Sequence, residues 1–130
     1  MVEGKVIISA ALTGAATTKF QNPNVPYTPE EFADTVAKCR EEGASIVHIH
    51  ARRPDTGGPT ADLETIGKIL DAVKRKTPDI IVNLSTAIAP SVPEKDRIAP
   101  VLKFKPEIAS LNTNSMNFGI GDWAKGKVLM

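Results

Sequence analysis

His48-Ile49-His50 contains both of the chain's 2 histidines. In an extended strand, residues i and i+2 point to the same face. Both imidazoles therefore project together, and Ile49 turns to the opposite face. Neutral imidazole is a common ligand of zinc and other divalent ions, and two on one strand face can chelate one ion. One strand histidine is usually structural, but a pair at this spacing at a strand's end is harder to dismiss. A catalytic zinc normally has three protein ligands and one open position. The sequence offers no third histidine, and Cys39 falls within a helical pattern where it reads as core.

Further polar residues cluster where apolar runs end. Ser85 and Thr86 close one run, and Asn112, Thr113, Asn114 and Ser115 follow another. Strands that finish in small hydroxyl and amide residues suit a hydrogen-bonding rim for a small polar ligand, although the same residues also shape turns and caps. Arg52 and Arg53 are either ligands for a carboxylate or phosphate or part of a solvated loop, and Lys19 has the same two readings. Gly57-Gly58 makes a turn. Without a following Lys-Thr it is not a phosphate-binding P-loop. Lys74-Arg75-Lys76 reads as a helix terminus, where positive charge suits the macrodipole.

The elements that must position these residues follow from two alternating periods. Short β-branched and small apolar runs predict strands over Lys5–Leu12, Ala44–Ala51, Ile80–Thr86 and Glu107–Leu111. Thr28-Pro29-Glu30-Glu31 opens the first helix as a capping box with proline at the first helical position, and Gly43 ends it. Thr60-Ala61-Asp62 opens the second. Its stripe Leu63, Ile66, Ile69, Leu70 and Val73 recurs at helical spacing, and Pro78 stops it. A third helix is expected from Pro93 through Leu102, weakened or kinked at Pro100. After Asn117 the pattern fades. The order β-α-β-α-β-α-β implies parallel strands. An open doubly wound sheet and the first half of a (β/α)8 barrel share this order. In both, sites form at the carboxyl ends of the strands, where His48 and His50 stand.

Composition bounds the function classes. The 130 residues suit one domain, 1–130, and are 42% apolar and 24% charged, which excludes disorder as the main state. A net charge of +1 gives no field to draw nucleic acid or an anionic membrane, and aromatics at 5% argue against base stacking. No apolar run reaches the ~18 residues of a membrane helix. No signal-peptide pattern opens the chain, and Cys39 is the single cysteine, so a cytoplasmic setting is expected.

Several stretches together resemble one family. They are Ala10-Ala11-Leu12-Thr13-Gly14-Ala15, Thr18-Lys19 with Asn22-Pro23 and Val25-Pro26, and Thr28-Pro29-Glu30-Glu31. Gly43 through Arg52, Asn83-Leu84-Ser85-Thr86, Ala109 through Thr113 and Ser115 through Gly119 continue the match. This set is similar to the β-keto acid cleavage enzymes, which include 3-keto-5-aminohexanoate cleavage enzyme. The resemblance implies a zinc-dependent TIM barrel. It also implies a retro-Claisen type acyl transfer, in which a β-keto acid and acetyl-CoA give acetoacetate and a new acyl-CoA. By the motif match, His48 and His50 would be metal ligands, while Ser85 and Thr113 would bond the substrate, with Asn112 and Asn114 as neighbouring candidates for the latter role. Family members are about twice this length. The remaining metal ligand and the catalytic residues are expected in a C-terminal half. The chain is thus expected to be a fragment, to self-assemble as a homo-oligomer, or to need a complementary half-barrel. Two other readings stand beside this one: a metal-dependent hydrolase of a small polar substrate, and a non-catalytic half-barrel.

Overall fold

A computed structural model describes residues 4–89 and 92–112, together with the backbone of 121–122 and 127–128. In chain order the elements are β1 (Ser9–Ala11), α1 (Pro29–Glu41), β2 (Ile46–Ile49), α2 (Leu63–Lys76), β3 (Ile81–Leu84), α3 (Glu94–Phe104) and β4 (Ile108–Ala109). A small antiparallel pair, β5 (Gly121–Asp122) with β6 (Lys127–Val128), follows.

Helix α1 starts where the capping box places it. The Thr28 hydroxyl accepts from the Glu31 N–H, and the Glu31 carboxylate accepts from the N–H groups of Thr28 and Tyr27 at 3.1 and 2.7 Å. These bonds satisfy donors that a helix start otherwise leaves without partners. Gly43 takes φ +98° just past the helix end. Helix α2 is capped by Asp62, whose carboxylate accepts from the Thr65 N–H at 2.7 Å. Helix α3 continues through Pro100 to Phe104, two residues beyond the expected Leu102, and Lys105 closes it in the left-handed conformation at φ +47°.

β1 to β4 pair in parallel in the order β1-β2-β3-β4, which is also chain order. A doubly wound sheet reverses its strand order at a switch point and carries helices on both faces. Here no reversal occurs. Phe32 and Val36 of α1 share one buried cluster with Ile66, Ile69 and Val73 of α2 and with Val47, Ile49, Val82 and Leu84 of the sheet, and Phe104 of α3 packs on it. The helices lie on one side, so the sheet is the first half of a (β/α)8 barrel. Each large apolar side chain buried in this layer is worth about 1.5–3 kcal/mol.

Among the described residues, the opposite face has no helix. Its cross-strand row is Ala11, His48, Asn83 and Ile108, in register across all four strands. Ile81 and Ile108 are part-exposed there. The expected strand over Lys5–Leu12 shortens to Ser9–Ala11, and Val6 and Ile7 stand about four-fifths exposed at 82% and 80%. Among the described residues β1 is an edge strand with a neighbour on one side only, so a β-branched run is not buried merely by its composition. Among the described residues, no helix is long and apolar enough to cross a membrane.

Candidate functional site

Alternation along β2 decides where the histidines go. Val47 and Ile49 are fully buried under the helices, which turns His48 and His50 to the helix-free face at the strand's carboxyl end. The two Nε2 atoms lie 3.1 Å apart, and the rings meet edge to face at 82°. At that distance one Nε2 donates and the other accepts, so at least one ring is neutral. Burial holds His50 below the usual imidazole range. Its neighbour His48 pushes it further down, the Ala87 backbone opposes the shift, and the Arg52 charge adds to it. The form of His50 with a free lone pair, the ligating form, is thereby favoured.

The backbone holds this pair firmly. Leu12 N–H donates to the His48 carbonyl at 3.2 Å, and buried Thr13 donates through Oγ1 to the His50 carbonyl at 3.1 Å. On the other side, Ser85 N–H donates to the Ile49 carbonyl at 2.9 Å. Ser85 is buried one residue past β3, and its Oγ accepts from the Ala87 N–H at 3.2 Å. Thr86 serves structure instead. It bonds Ser110 through both its N–H and its hydroxyl, at 3.0 and 2.9 Å, and so ties the ends of β3 and β4. Thr113, Asn114 and Ser115 lie outside the described residues.

Two imidazoles whose Nε2 atoms converge on one point would, with both lone pairs free, fit a divalent ion such as zinc as a partial donor set. A third donor is not in reach: among the described residues no group of three or more His, Cys, Asp or Glu side chains could hold a metal. Cys39 is half-buried near the end of α1, and its carbonyl accepts from the Ala44 N–H at 2.9 Å, two residues before β2 begins. Two buried polar atoms beside the pair have no hydrogen-bond partner, Nδ1 of His50 and Oδ1 of Asn83. Asn83 is the β3 register partner of His48. The sequence places Thr13 and Asn83 within the family motifs but gives neither a role at the site. Two-residue periodicity counted back from Ser85 reaches Asn83.

Arg52 departs from one of its two expected readings, the solvated loop. It is 1% exposed, so it does not sit in a solvated loop. Its guanidinium is committed to backbone carbonyls: Nε donates to Gly57, Nη1 to Gly14 and Nη2 to Thr17, at 2.5, 3.0 and 2.8 Å. Three of its five N–H donors are thereby committed to backbone carbonyls. Arg53 is exposed. Lys19 pairs with Glu31 and lies over the Tyr27 ring. Lys74 combines its place at the end of α2 with bonds to the Ile80 carbonyl and to Glu107.

Comparison with known proteins agrees with this architecture. The chain is 42% identical over 116 residues to 3,5-dioxohexanoate:acetyl-CoA acetone transferase of Paraburkholderia graminis, covering 89% of this chain and 37% of that protein. It is 44% identical over 115 residues to 3-keto-5-aminohexanoate cleavage enzyme of Acetoanaerobium sticklandii, covering 88% of this chain and 41% of that protein. Among solved structures, the ternary complex of ObcA with a C4-CoA adduct and oxalate matches at TM-score 0.57 and 30% identity, over 68% of this chain and 23% of that one. The chain thus spans about two fifths of the length of these curated relatives. The family model for beta-keto acid cleavage enzyme matches residues 5–129, and the chain belongs to that family.

Proposed function

We propose that the chain is the N-terminal half-barrel, residues 1–130 forming one domain, of a zinc-dependent enzyme that cleaves a β-keto acid with acetyl-CoA. The observation that carries the reading is the convergence of the His48 and His50 Nε2 atoms, 3.1 Å apart, at the carboxyl end of a parallel strand in a chain of this family. In the proposed reaction the bond between the α-carbon and the β-carbonyl carbon breaks. The β-acyl group passes to the CoA sulfur, and the acetyl group of acetyl-CoA joins the remaining carboxymethyl unit as acetoacetate. Bound zinc would supply Lewis-acid polarisation of the keto acid's carbonyl.

In this reading His48 and His50 hold the ion as neutral imidazoles, which the burial of His50 favours. Ser85, beside the pair at the next strand end, orients the substrate by hydrogen bonding. Thr113 is assigned the same role past β4. The third ligand and the catalytic acid or base are assigned to the remaining strands of the barrel. Those strands come from further sequence, from a second copy of this chain, or from a complementary half. The helix-free face with its part-exposed Ile81 and Ile108 supports the need for such a cover. The enzyme is proposed to be cytoplasmic.

The test is acetyl-CoA-dependent release of acetoacetate from a panel of β-keto acids, with zinc and oligomeric state read together by native mass spectrometry. We expect turnover only in an assembled, zinc-loaded species, and loss of both zinc and turnover in His48→Ala and His50→Ala. Turnover without CoA would favour hydrolysis. Unchanged zinc affinity in both variants would end the ligand assignment.

A further inference from the structure

Among the described residues, Arg52 is the one strongly buried charge that the proposed chemistry does not use. It follows His50 by two residues and reaches three carbonyls in two different segments: Gly14 and Thr17 of the loop after β1, and Gly57 of the turn after β2. Its guanidinium carbon also lies 5.3 Å from the centre of the Tyr27 ring, and the Tyr27 hydroxyl accepts from the Lys19 N–H at 2.8 Å. The turn is itself closed by Arg53 N–H to Gly58 and Gly57 N–H to Arg53, at 2.7 and 2.8 Å. Among the described residues no carboxylate forms an ion pair with Arg52. A buried cation neutralised only by carbonyl dipoles is a poor device for stability, because its desolvation offsets much of what the bonds contribute. It is a good device for geometry, since the planar fork fixes three acceptors in one plane and a lysine ammonium does not.

We infer that Arg52 is a positioning residue. Its guanidinium ties the 14–27 loop to the 53–58 turn and so holds the strand end that carries His50. The link to the histidines is short. Gly14, one of the tied carbonyls, directly follows Thr13, whose hydroxyl holds the His50 carbonyl. Both loops are set before any ligand arrives. The inference concerns the wall of the site proposed above, and its test needs neither metal nor substrate, so it stands or falls apart from that proposal.

The experiment compares the full chain with Arg52→Ala and Arg52→Lys by amide hydrogen exchange and by the 15N spectrum of the imidazoles. In Arg52→Ala, peptides over 14–27 and 53–58 should lose protection together by at least about tenfold, the worth of one hydrogen bond to a charged group. Protection in α2 and β3 should stay. The Nε2 signals of the two histidines, distinct when one ring donates to the other, should move toward a common averaged position. Guanidinium at about 50 mM, far below denaturing levels, should restore both readouts, and equal ammonium should restore neither. Arg52→Lys, which keeps the charge, should behave like Arg52→Ala. Several results would overturn the inference: protection lost in one segment only, rescue by ammonium, or wild-type behaviour of the lysine variant. Open loops with unchanged imidazole signals would also overturn it, reducing Arg52 to a loop staple. If Arg52→Ala does not fold, the lysine variant decides the same questions.

Discussion

Replacing Gly57 with alanine tests how tightly the turn after β2 is packed against the loop after β1. Gly57 is at φ +67°, a region L-residues enter at a cost of about 1 kcal/mol or slightly more. A Cβ built there would stand 2.1 Å from Cε2, 2.2 Å from Cζ and 2.6 Å from Oη of Tyr27. The ring must then move, and it is not free to do so. Its hydroxyl holds the Lys19 N–H, and Lys19 and Arg52 lie over its face. Overpacking of this kind costs about 1–3 kcal/mol. The expected destabilisation of Gly57→Ala is thus about 2–4 kcal/mol, the sum of the backbone and packing parts. Urea unfolding followed by far-ultraviolet circular dichroism measures it. A Tyr27→Ala background removes the obstacle, and there the same glycine substitution should cost only the backbone part, about 1 kcal/mol. Equal costs in both backgrounds, or a near-neutral Gly57→Ala, would refute the packing argument.

Two further outcomes are expected. Thr28→Ala removes the acceptor of the Glu31 N–H at the start of α1, and should cost about 1 kcal/mol, read by thermal unfolding. Acidification should destabilise the fold: Lys19 first, then the Tyr27 N–H, hold Glu31 below its ordinary value, and Thr65 does the same for Asp62. Lowered folded-state values give stability that is full above the ordinary carboxylate range of about 4 and is lost as pH falls through it and below. Unfolding midpoints between about pH 6 and 3 should therefore lose part of their slope in Glu31→Gln.

Much of this was legible in the chain because local rules and tertiary packing agree there. The capping box of α1 and the apolar stripe of α2 appear where spacing places them. The i, i+2 rule alone put His48 and His50 on one face. The choice between a doubly wound sheet and a half-barrel was not legible from element order, since it depends on which face the helices take. That became clear only when Phe32, Val36, Ile66, Ile69 and Val73 gathered in one cluster. Lys5–Ile8 read as buried because composition cannot tell an edge from a centre. Arg52 read as either an anion ligand or a solvated loop residue because charge suggests a charged partner or water, whereas its partners include carbonyls brought from 38 and 35 residues away. Asn83 stood in a family motif without a role of its own because its significance is a register relation to His48, and register is a property of two strands together.

The agreement of strand order with chain order has a further consequence. Each strand pairs only with its neighbours in chain order, so no strand pairing marks β1 as a required beginning. Among the described residues β4 has a strand neighbour on one side only, so its other edge can take up a further parallel strand without changing the pairing of β1 to β3. A circularly permuted version beginning at α3, with β1 to β3 supplied later in the same chain, would still place β3 beside β4. Such rearrangements disturb the order of synthesis and leave the neighbour relations of the folded sheet intact.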